Sequence, residues 1–395
     1  MSHREAVIVS GVRTAVGKSK KGSSRNLRPE DLGAAVVQKL IADVQGKLAP
    51  EEIEDVILGC AMPEGSQGLN IARLISLQAG LPVDVPAVTV NRFCASGLQA
   101  IAQAAERVLA GGADVVLAGG VESMSLVPMT GFRMAPSPAL VDARWEAYMG
   151  MGLTAERVAK EHGISRADQD AFAVRSHQRA TQATDAGLFA SEIVPVSVQE
   201  RLADEQGNVQ TIRQTLQLDE HLRRDTTVEG LGKLPAAFKL GGSVTAGNSS
   251  PLSDGAAGVL VMERSVAEKR GLTPLVRFVS FGVAGVAPEV MGIGPVKAIP
   301  RALERAGLSL AEIGRIELNE AFAAQALAVI RTLGIADEQV NVNGGAIALG
   351  HPLGCTGAKL TVQLMNELQR SGSRYGMVTM CIGGGQGAAG IFERL

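Results

Sequence analysis

The strongest constraint on the fold is that the chain writes one strand-and-helix unit twice. Glu51-Glu52-Ile53-Glu54-Asp55-Val56-Ile57-Leu58 is answered by Ala311-Glu312-Ile313-Gly314-Arg315-Ile316-Glu317-Leu318, each an acidic helix end feeding an apolar strand. Val88-Thr89-Val90-Asn91 is answered by Val340-Asn341-Val342-Asn343, each followed by a glycine-containing turn and an alanine-rich helix. Val115-Val116-Leu117-Ala118-Gly119-Gly120 is answered by Met377-Val378-Thr379-Met380 and the glycines after it. Short β-branched runs alternating with helical periodicity call for a parallel sheet covered by helices. A repeated unit calls for two such halves, although strand–helix alternation alone gives some of this likeness.

Within the first unit, residues 6–9, 56–58, 87–90 and 114–118 read as strands, and residues 32–44 and 97–110 as helices. From about residue 121 to residue 250 the beat stops, and Met, Pro, Arg and charged stretches replace it. Residues 166–184 form a polar helical pattern with Phe172 on its apolar side, and residues 194–198 and 209–216 read as short strands. This stretch is too long for a structureless loop in a compact domain, so it reads as an inserted subdomain. Gly241-Gly242-Ser243 and the residues up to Gly255 return the chain to the α/β core.

Bulk properties exclude several functions. The net charge of −2 gives no electrostatic reason for nucleic acid, and 3% aromatics leave few stacking platforms. The 47 glycines fall in clusters, as tight turns and close backbone approaches require, and not in a repeat of three. No apolar run approaches membrane-span length, and the N-terminal stretch has no apolar region of secretory length. Cys60, Cys94, Cys355 and Cys381 therefore read as free thiols in a reducing compartment, with the cytoplasm the expected location. No phosphate-loop pattern is present, and no glycine cluster opens a βαβ unit as a dinucleotide fingerprint would.

Three segments carry residues fit for acyl chemistry. Cys94 lies between a strand ending at Val90 and a helix beginning near Ser96, where the helix dipole and unpaired N–H groups are expected to lower its pKa. His351, in Gly350-His351-Pro352-Leu353-Gly354, sits in a glycine turn before a helix and is placed to point into a cleft. Cys381 ends an apolar strand and meets Gly383-Gly384-Gly385, whose N–H groups are a candidate oxyanion site. Taken singly, each has a plain alternative: an inert buried thiol, or a histidine bonded within its own loop. Cys355 follows His351 by four residues, but no second close Cys/His pair has zinc spacing. Asn319 can orient a water or a histidine, and Glu320 suits a helix start. His3, His162, His177 and His221 lie in terminal or polar settings and read as surface residues.

Together with Thr245-Ala246-Gly247-Asn248-Ser249-Ser250, Asn319-Glu320-Ala321-Phe322 and Gly344-Gly345-Ala346-Ile347-Ala348-Leu349, these segments resemble the thiolase family over essentially the whole chain. The resemblance implies an α/β fold of duplicated βαβαβαββ halves in a five-layer αβαβα sandwich with an inserted loop domain. On that pattern residues 1–120, completed by 251–273, form the first half, 121–250 the loop domain and 274–395 the second half.

The resemblance also implies roles. Cys94 is the acyl-accepting nucleophile, His351 its activating base, and Cys381 the acid/base at the substrate α-carbon. Asn319 holds a water that stabilises the enolate oxygen with His351, and the N–H groups of Cys94 and Gly383 form an oxyanion hole. Coenzyme A, the co-substrate, lies on the loop domain with Arg223 near its nucleotide end and Ser250 near the pantetheine arm; no metal or redox cofactor is expected. Short-chain acetoacetyl-specific relatives usually carry a histidine where Gly150 stands, and Met291-Gly292-Ile293-Gly294-Pro295 resembles the degradative, broad-chain-length type. The expectation is a 3-ketoacyl-coenzyme A thiolase working by ping-pong covalent catalysis, as a homodimer or homotetramer. An acetyl-coenzyme A acetyltransferase is the close alternative. Decarboxylating condensing enzymes lack a cysteine at the position of Cys381, and intact Cys94, His351 and Cys381 speak against a non-catalytic lipid-binding relative.

Overall fold

The computed structural model describes residues 4–203 and 209–395. Its strands are β1 (Ala6–Thr14), β2 (Gly17–Lys18), β3 (Asp55–Gly59), β4 (Ala87–Val90), β5 (Val115–Ser123), β6 (Ile193–Val194), β7 (Val196–Ala203), β8 (Val209–Leu216), β9 (Ser253–Glu263), β10 (Val276–Gly285), β11 (Ile313–Leu318), β12 (Tyr375–Ile382) and β13 (Gln386–Arg394). The first half has the order β4-β3-β5-β9-β1 and the second β11-β12-β13-β10. The halves meet edge to edge where Val7 and Ile8 of β1 pair with Arg277 and Val276 of β10.

The sheets are mixed rather than parallel. Among the described residues β3–β4, β3–β5, β11–β12 and the short β1–β6 pair run parallel, whereas β5–β9, β1–β9, β12–β13 and β10–β13 are antiparallel. The repeat accounts for this: each half pairs its parallel strands first and closes with two antiparallel ones. A second departure lies at residues 340–343, where Val340 makes an isolated parallel bridge to Ile316 instead of a strand. Asn341 turns the chain with φ +47°, and its amide takes over the ladder by accepting from the Leu318 N–H and donating to the Leu318 carbonyl, both at 2.8 Å. The bridge still sits outside β11 as β4 sits outside β3, so the two halves share one order.

The helices are α1 (Pro29–Asp43), α2 (Ile71–Gln78), α3 (Ser96–Leu109), α4 (Pro138–Arg144), α5 (Met151–Glu161), α6 (Arg166–Asp185), α7 (Val228–Gly232), α8 (Arg264–Lys269), α9 (Gly294–Ala306), α10 (Ala323–Leu333), α11 (Ala346–Leu349) and α12 (Leu353–Ser371). On the first sheet's outer face, α1 and α2 bury Leu32, Val36, Leu40, Ile71 and Ile75 against Val56, Leu117 and Leu260. On the second sheet's outer face, α9 and α10 bury Ile299, Ala302, Leu327 and Ile330 against Ile316, Met377 and Ile391. Between the sheets α3 and α12 pack Leu98, Ile101, Val362 and Met365 against Val116, Val259, Val378 and Phe392. This gives five layers. Every residue of β5 and of β9 is buried because helices cover both faces.

The middle pair sets the site. A Cβ on Gly97 would lie 2.7 Å from the Ala358 nitrogen, and one on Gly357 only 2.3 Å from the Leu98 nitrogen. The α3 and α12 backbones therefore touch near their N-termini, bringing the turn before α3 beside the turn before α12. Outside the layers, α6 begins at a Ser165 cap reciprocated by Asp168, and β7 pairs antiparallel with β8. This part is stitched to β1 by β6 and by buried Arg13, which reaches Glu192 at 2.7 Å and Asp219 at 2.8 Å.

Candidate active site

Cys94 lies in a short turn, Phe93–Ala95, that leads straight into α3. The turn is held by Asn91, whose Oδ1 accepts from the Phe93 N–H at 2.8 Å, and by Ser96, whose Oγ accepts from the Arg92 N–H at 2.8 Å. Phe93 adopts φ +44°, a strained setting for an aromatic residue. The Cys94 side chain is half-buried and packs with Ala61, Met62, Met124 and Leu353.

The expected depression of the Cys94 pKa does not appear. Burial pushes the thiol up to about 12, and the buried Glu122 carboxylate adds to the rise; the N–H groups of Gly383 and of Cys94 itself pull the other way. A helix N-terminus offers fractional charge, while loss of water around a thiolate costs several times as much in this setting. The same N–H groups come to the sulfur from both halves of the fold, an arrangement able to stabilise negative charge there.

His351 is 4% exposed, and its tautomer follows from its partners. Thr356 Oγ1 donates to the Pro352 carbonyl at 2.9 Å, so at 2.6 Å from His351 Nδ1 it must accept the Nδ1 proton. Nε2 then carries the lone pair, and Asn319 Nδ2 donates to it at 3.3 Å. The backbone N–H of His351 is held by Ser253 Oγ at 3.0 Å. Burial, with the buried Lys359 ammonium, holds the imidazole pKa down at about 3. The ring is neutral at pH 7, and Nε2, which carries no proton and faces only the long Asn319 contact among the described residues, can accept one.

Cys381 is the penultimate residue of β12, opposite Gly387 of β13, and is 1% exposed. Burial raises its pKa, and so would charge on the neighbouring Cys94. Its apolar surround is Met151, Ala155, Met291 and Phe322. Gly383 follows it, with Phe93 and Met151 against its Cα face and positive φ at Gly384 and Gly385 opening the turn. Asn319 leaves the end of β11 fully buried, and its Oδ1 has no partner. Glu320 is not merely a helix-start residue: it accepts from Ser176 Oγ, Asn341 Nδ2 and the Ile347 N–H, tying α6 to the second half.

Arg223 and Ser250 stand apart from this cluster. Arg223 is exposed and borders a cleft of about 40 Å³ lined also by His177, His221, Gly247, Ser249 and Ile347. Ser250 donates its N–H to the Ala321 carbonyl at 2.9 Å, next to the Asn319 loop. Two histidines expected at the surface are buried. His177 accepts from the Arg223 N–H at 3.3 Å, and His221 Nε2 lies 3.0 Å from Ser253 Oγ. Their polar sequence neighbours gave no hint that α6 and the 219–225 segment fold against the core. His162 is half-exposed, and His3 lies outside the described residues. Sequence reasoning misses Thr356, although a hydroxyl in the first turn of the helix that follows a histidine is a readable signal. Among the described residues no group of three or more His, Cys, Asp or Glu is arranged to hold a metal. No helix among them is long and apolar enough to cross a membrane.

Comparison with known proteins agrees with this fold. Residues 6–265 match the family model described as Thiolase, N-terminal domain, and residues 272–394 match Thiolase, C-terminal domain. The chain is 58% identical over 390 residues to a 3-ketoacyl-CoA thiolase of Bacillus subtilis (strain 168), covering 99% of each. It is 47% identical to Beta-ketothiolase BktB of Cupriavidus necator, over 99% of this chain and 100% of that one. The crystal structure of human mitochondrial 3-ketoacyl-CoA thiolase superposes with a TM-score of 0.89 at 40% identity, covering 100% of both chains. The Bacillus anthracis acetyl-CoA acetyltransferase superposes with a TM-score of 0.90 at 40% identity, over 100% of this chain and 99% of that one. In sequence along its whole length, and in fold, the chain belongs to the thiolase family.

Proposed function

We propose that the protein is a 3-ketoacyl-coenzyme A thiolase, cleaving its substrate with coenzyme A to acetyl-coenzyme A and a shortened acyl-coenzyme A. One observation carries the reading. The Gly383 N–H and a second buried thiol, Cys381, neighbour the Cys94 sulfur, while a neutral imidazole is fixed with its proton on Nδ1 and none on Nε2. The relative at 58% identity bears the same activity in its name.

Both thiols and the imidazole start neutral, so protons move with the chemistry. Cys94 attacks the 3-keto carbon while its proton passes to His351 Nε2, and the N–H groups of Cys94 and Gly383 hold the oxyanion. Collapse breaks the C2–C3 bond. Cys381 gives its proton to C2 of the departing enolate, leaving acetyl-coenzyme A, an acyl group on Cys94, and Cys381 as thiolate. Asn319, touching His351 Nε2 and with Oδ1 unpaired, holds a water beside the enolate oxygen. In the second half-reaction incoming coenzyme A yields its thiol proton to Cys381 and attacks the acyl carbon. Cys94 leaves and recovers its proton from His351. All three groups return to their starting states, as ping-pong turnover requires.

Coenzyme A in this reading lies along residues 121–250, with Arg223 at its nucleotide end and Ser250 near the pantetheine. The exposed Arg223 guanidinium, which has no acidic partner among the described residues, and the Ser250–Ala321 link support that path. A homodimer or homotetramer acting in the cytoplasm completes the proposal. Gly150, where short-chain relatives usually carry a histidine, is exposed, and a Cβ there would meet nothing within 4 Å. The test is kcat/KM against ketoacyl chain length, with the acyl adduct mapped by mass. Activity on chains longer than acetoacetyl, and label on Cys94, are expected. Confinement to the acetoacetyl substrate would favour the acetyltransferase reading, and label on Cys60 or Cys355 would remove Cys94 as nucleophile.

A further inference from the structure

Glu122 lies next to the end of the buried strand β5 and is 1% exposed, yet its carboxylate makes no ion pair among the described residues. Four N–H donors meet it instead. Oε2 accepts from the N–H groups of Ala61 and Gly354, both at 2.8 Å; Oε1 accepts from Gln67 Nε2 at 2.7 Å and the Met62 N–H at 3.3 Å. Gly354 belongs to the first turn of α12, three residues past His351. Ala61 belongs to the first half, and its carbonyl accepts from Asn91 Nδ2 at 3.0 Å. Asn91 in turn holds the Phe93 N–H beside Cys94. One carboxylate therefore stands in the middle of a bonded chain running from the Cys94 turn to the His351 turn.

The seam has no slack. A Cβ on Gly354 would fall 2.7 Å from Cys60 Cα and 2.8 Å from the Ala61 nitrogen, and one on Gly120 would fall 2.1 Å from the Gly354 carbonyl oxygen. Burial pushes the Glu122 pKa up, and the four donors pull it back, since each fits only an acceptor oxygen. Packing alone would be met more simply by an apolar side chain.

We infer that Glu122 is a positioning residue that docks the His351 turn of one half onto the Cys94 turn of the other, so that the proton path from Cys94 to His351 is set across the seam between the halves. The inference rests on the thiolysis reading above. Glu122 itself touches neither substrate nor reacting atoms. Glu122→Gln keeps the volume but turns an amide N–H toward N–H donors, and Glu122→Asp draws the carboxylate back by one methylene.

The experiment measures kcat and KM for acetoacetyl-coenzyme A thiolysis in wild type and both variants, per active site counted by stoichiometric acylation of Cys94. Misplacement of a reacting pair costs roughly 10- to 100-fold in kcat, with KM changed less than about twofold, and Asp should recover part of the loss. A merely structural role would lower thermal stability and the number of acylatable sites while leaving kcat per site at the wild-type value; that result overturns the inference. If Glu122→Gln does not fold, Glu122→Asp decides on the same criterion. If neither folds, Gln67→Met, which removes one donor from Oε1, must lower kcat per site or the inference fails. Absence of thiolysis in the wild type would instead overturn the reading on which it rests.

Discussion

Replacing Thr356 with valine tests how His351 comes to present a lone pair. Valine matches threonine in shape, so α12 keeps its packing and only the hydroxyl is lost. That hydroxyl donates to the Pro352 carbonyl and accepts the His351 Nδ1 proton at 2.6 Å. Without it, Nδ1–H faces a methyl group in a site where the ring is 4% exposed, and a buried unpaired donor costs about 1–3 kcal/mol. The ring can escape that cost by moving its proton to Nε2. Asn319 Oδ1, which has no partner, would then accept it after an amide flip. The tautomer that results has a proton where catalysis needs a lone pair. Returning to the active form costs the same 1–3 kcal/mol, or about 5- to 150-fold in kcat. Thr356→Ser should restore most of the loss because it keeps the acceptor. The assay is steady-state thiolysis of acetoacetyl-coenzyme A with KM followed separately. A folded Thr356→Val enzyme with kcat within about twofold of wild type would refute the tautomer argument.

Other consequences are open to direct measurement. Cys381→Ala should slow exchange of the acetyl-coenzyme A α-protons with solvent far more than it slows acylation of Cys94; equal losses would remove its separate role. Arg13→Met strands the carboxylates of Glu192 and Asp219, whose side chains are 0% and 5% exposed, and should lower stability by about 3–5 kcal/mol in chemical denaturation. Its burial keeps His177 neutral in the fold with a pKa lowered to about 4, whereas an unfolded histidine titrates near 6.5. The stability this contributes is present above about pH 6.5 and is lost as pH falls toward 4, at about 1.4 kcal/mol per pH unit in the middle of that window. His177→Gln should flatten the denaturation midpoint against pH between 4.5 and 6; an unchanged slope would show that His177 takes up no extra proton on unfolding.

Legibility in the sequence followed physical cause. β5 and β9 are continuous apolar runs because helices cover both their faces, and such runs are visible without a structure. The polar helix at 166–184 emerged as α6, and residues 194–198 and 209–216 emerged within β6, β7 and β8, because caps and β-branched runs are local signals. The strand expected at 340–343 failed because a side-chain amide, Asn341, does the work of a backbone ladder. His177 and His221 were misplaced because burial of a polar segment is decided by what folds over it.

The sequence alone determined the repeated unit, the chemistry-bearing residues Cys94, His351 and Cys381, and the family to which their motifs point. These are local patterns of apolar period, turn glycines and residue type. The tertiary structure alone decided the protonation states and the alignment. Burial, not the helix dipole, governs Cys94, and Thr356 fixes the His351 tautomer. The Glu122 carboxylate accepts from Ala61 of the first half and Gly354 of the second. Desolvation and hydrogen-bond direction depend on neighbours distant in sequence, so no local pattern can encode them.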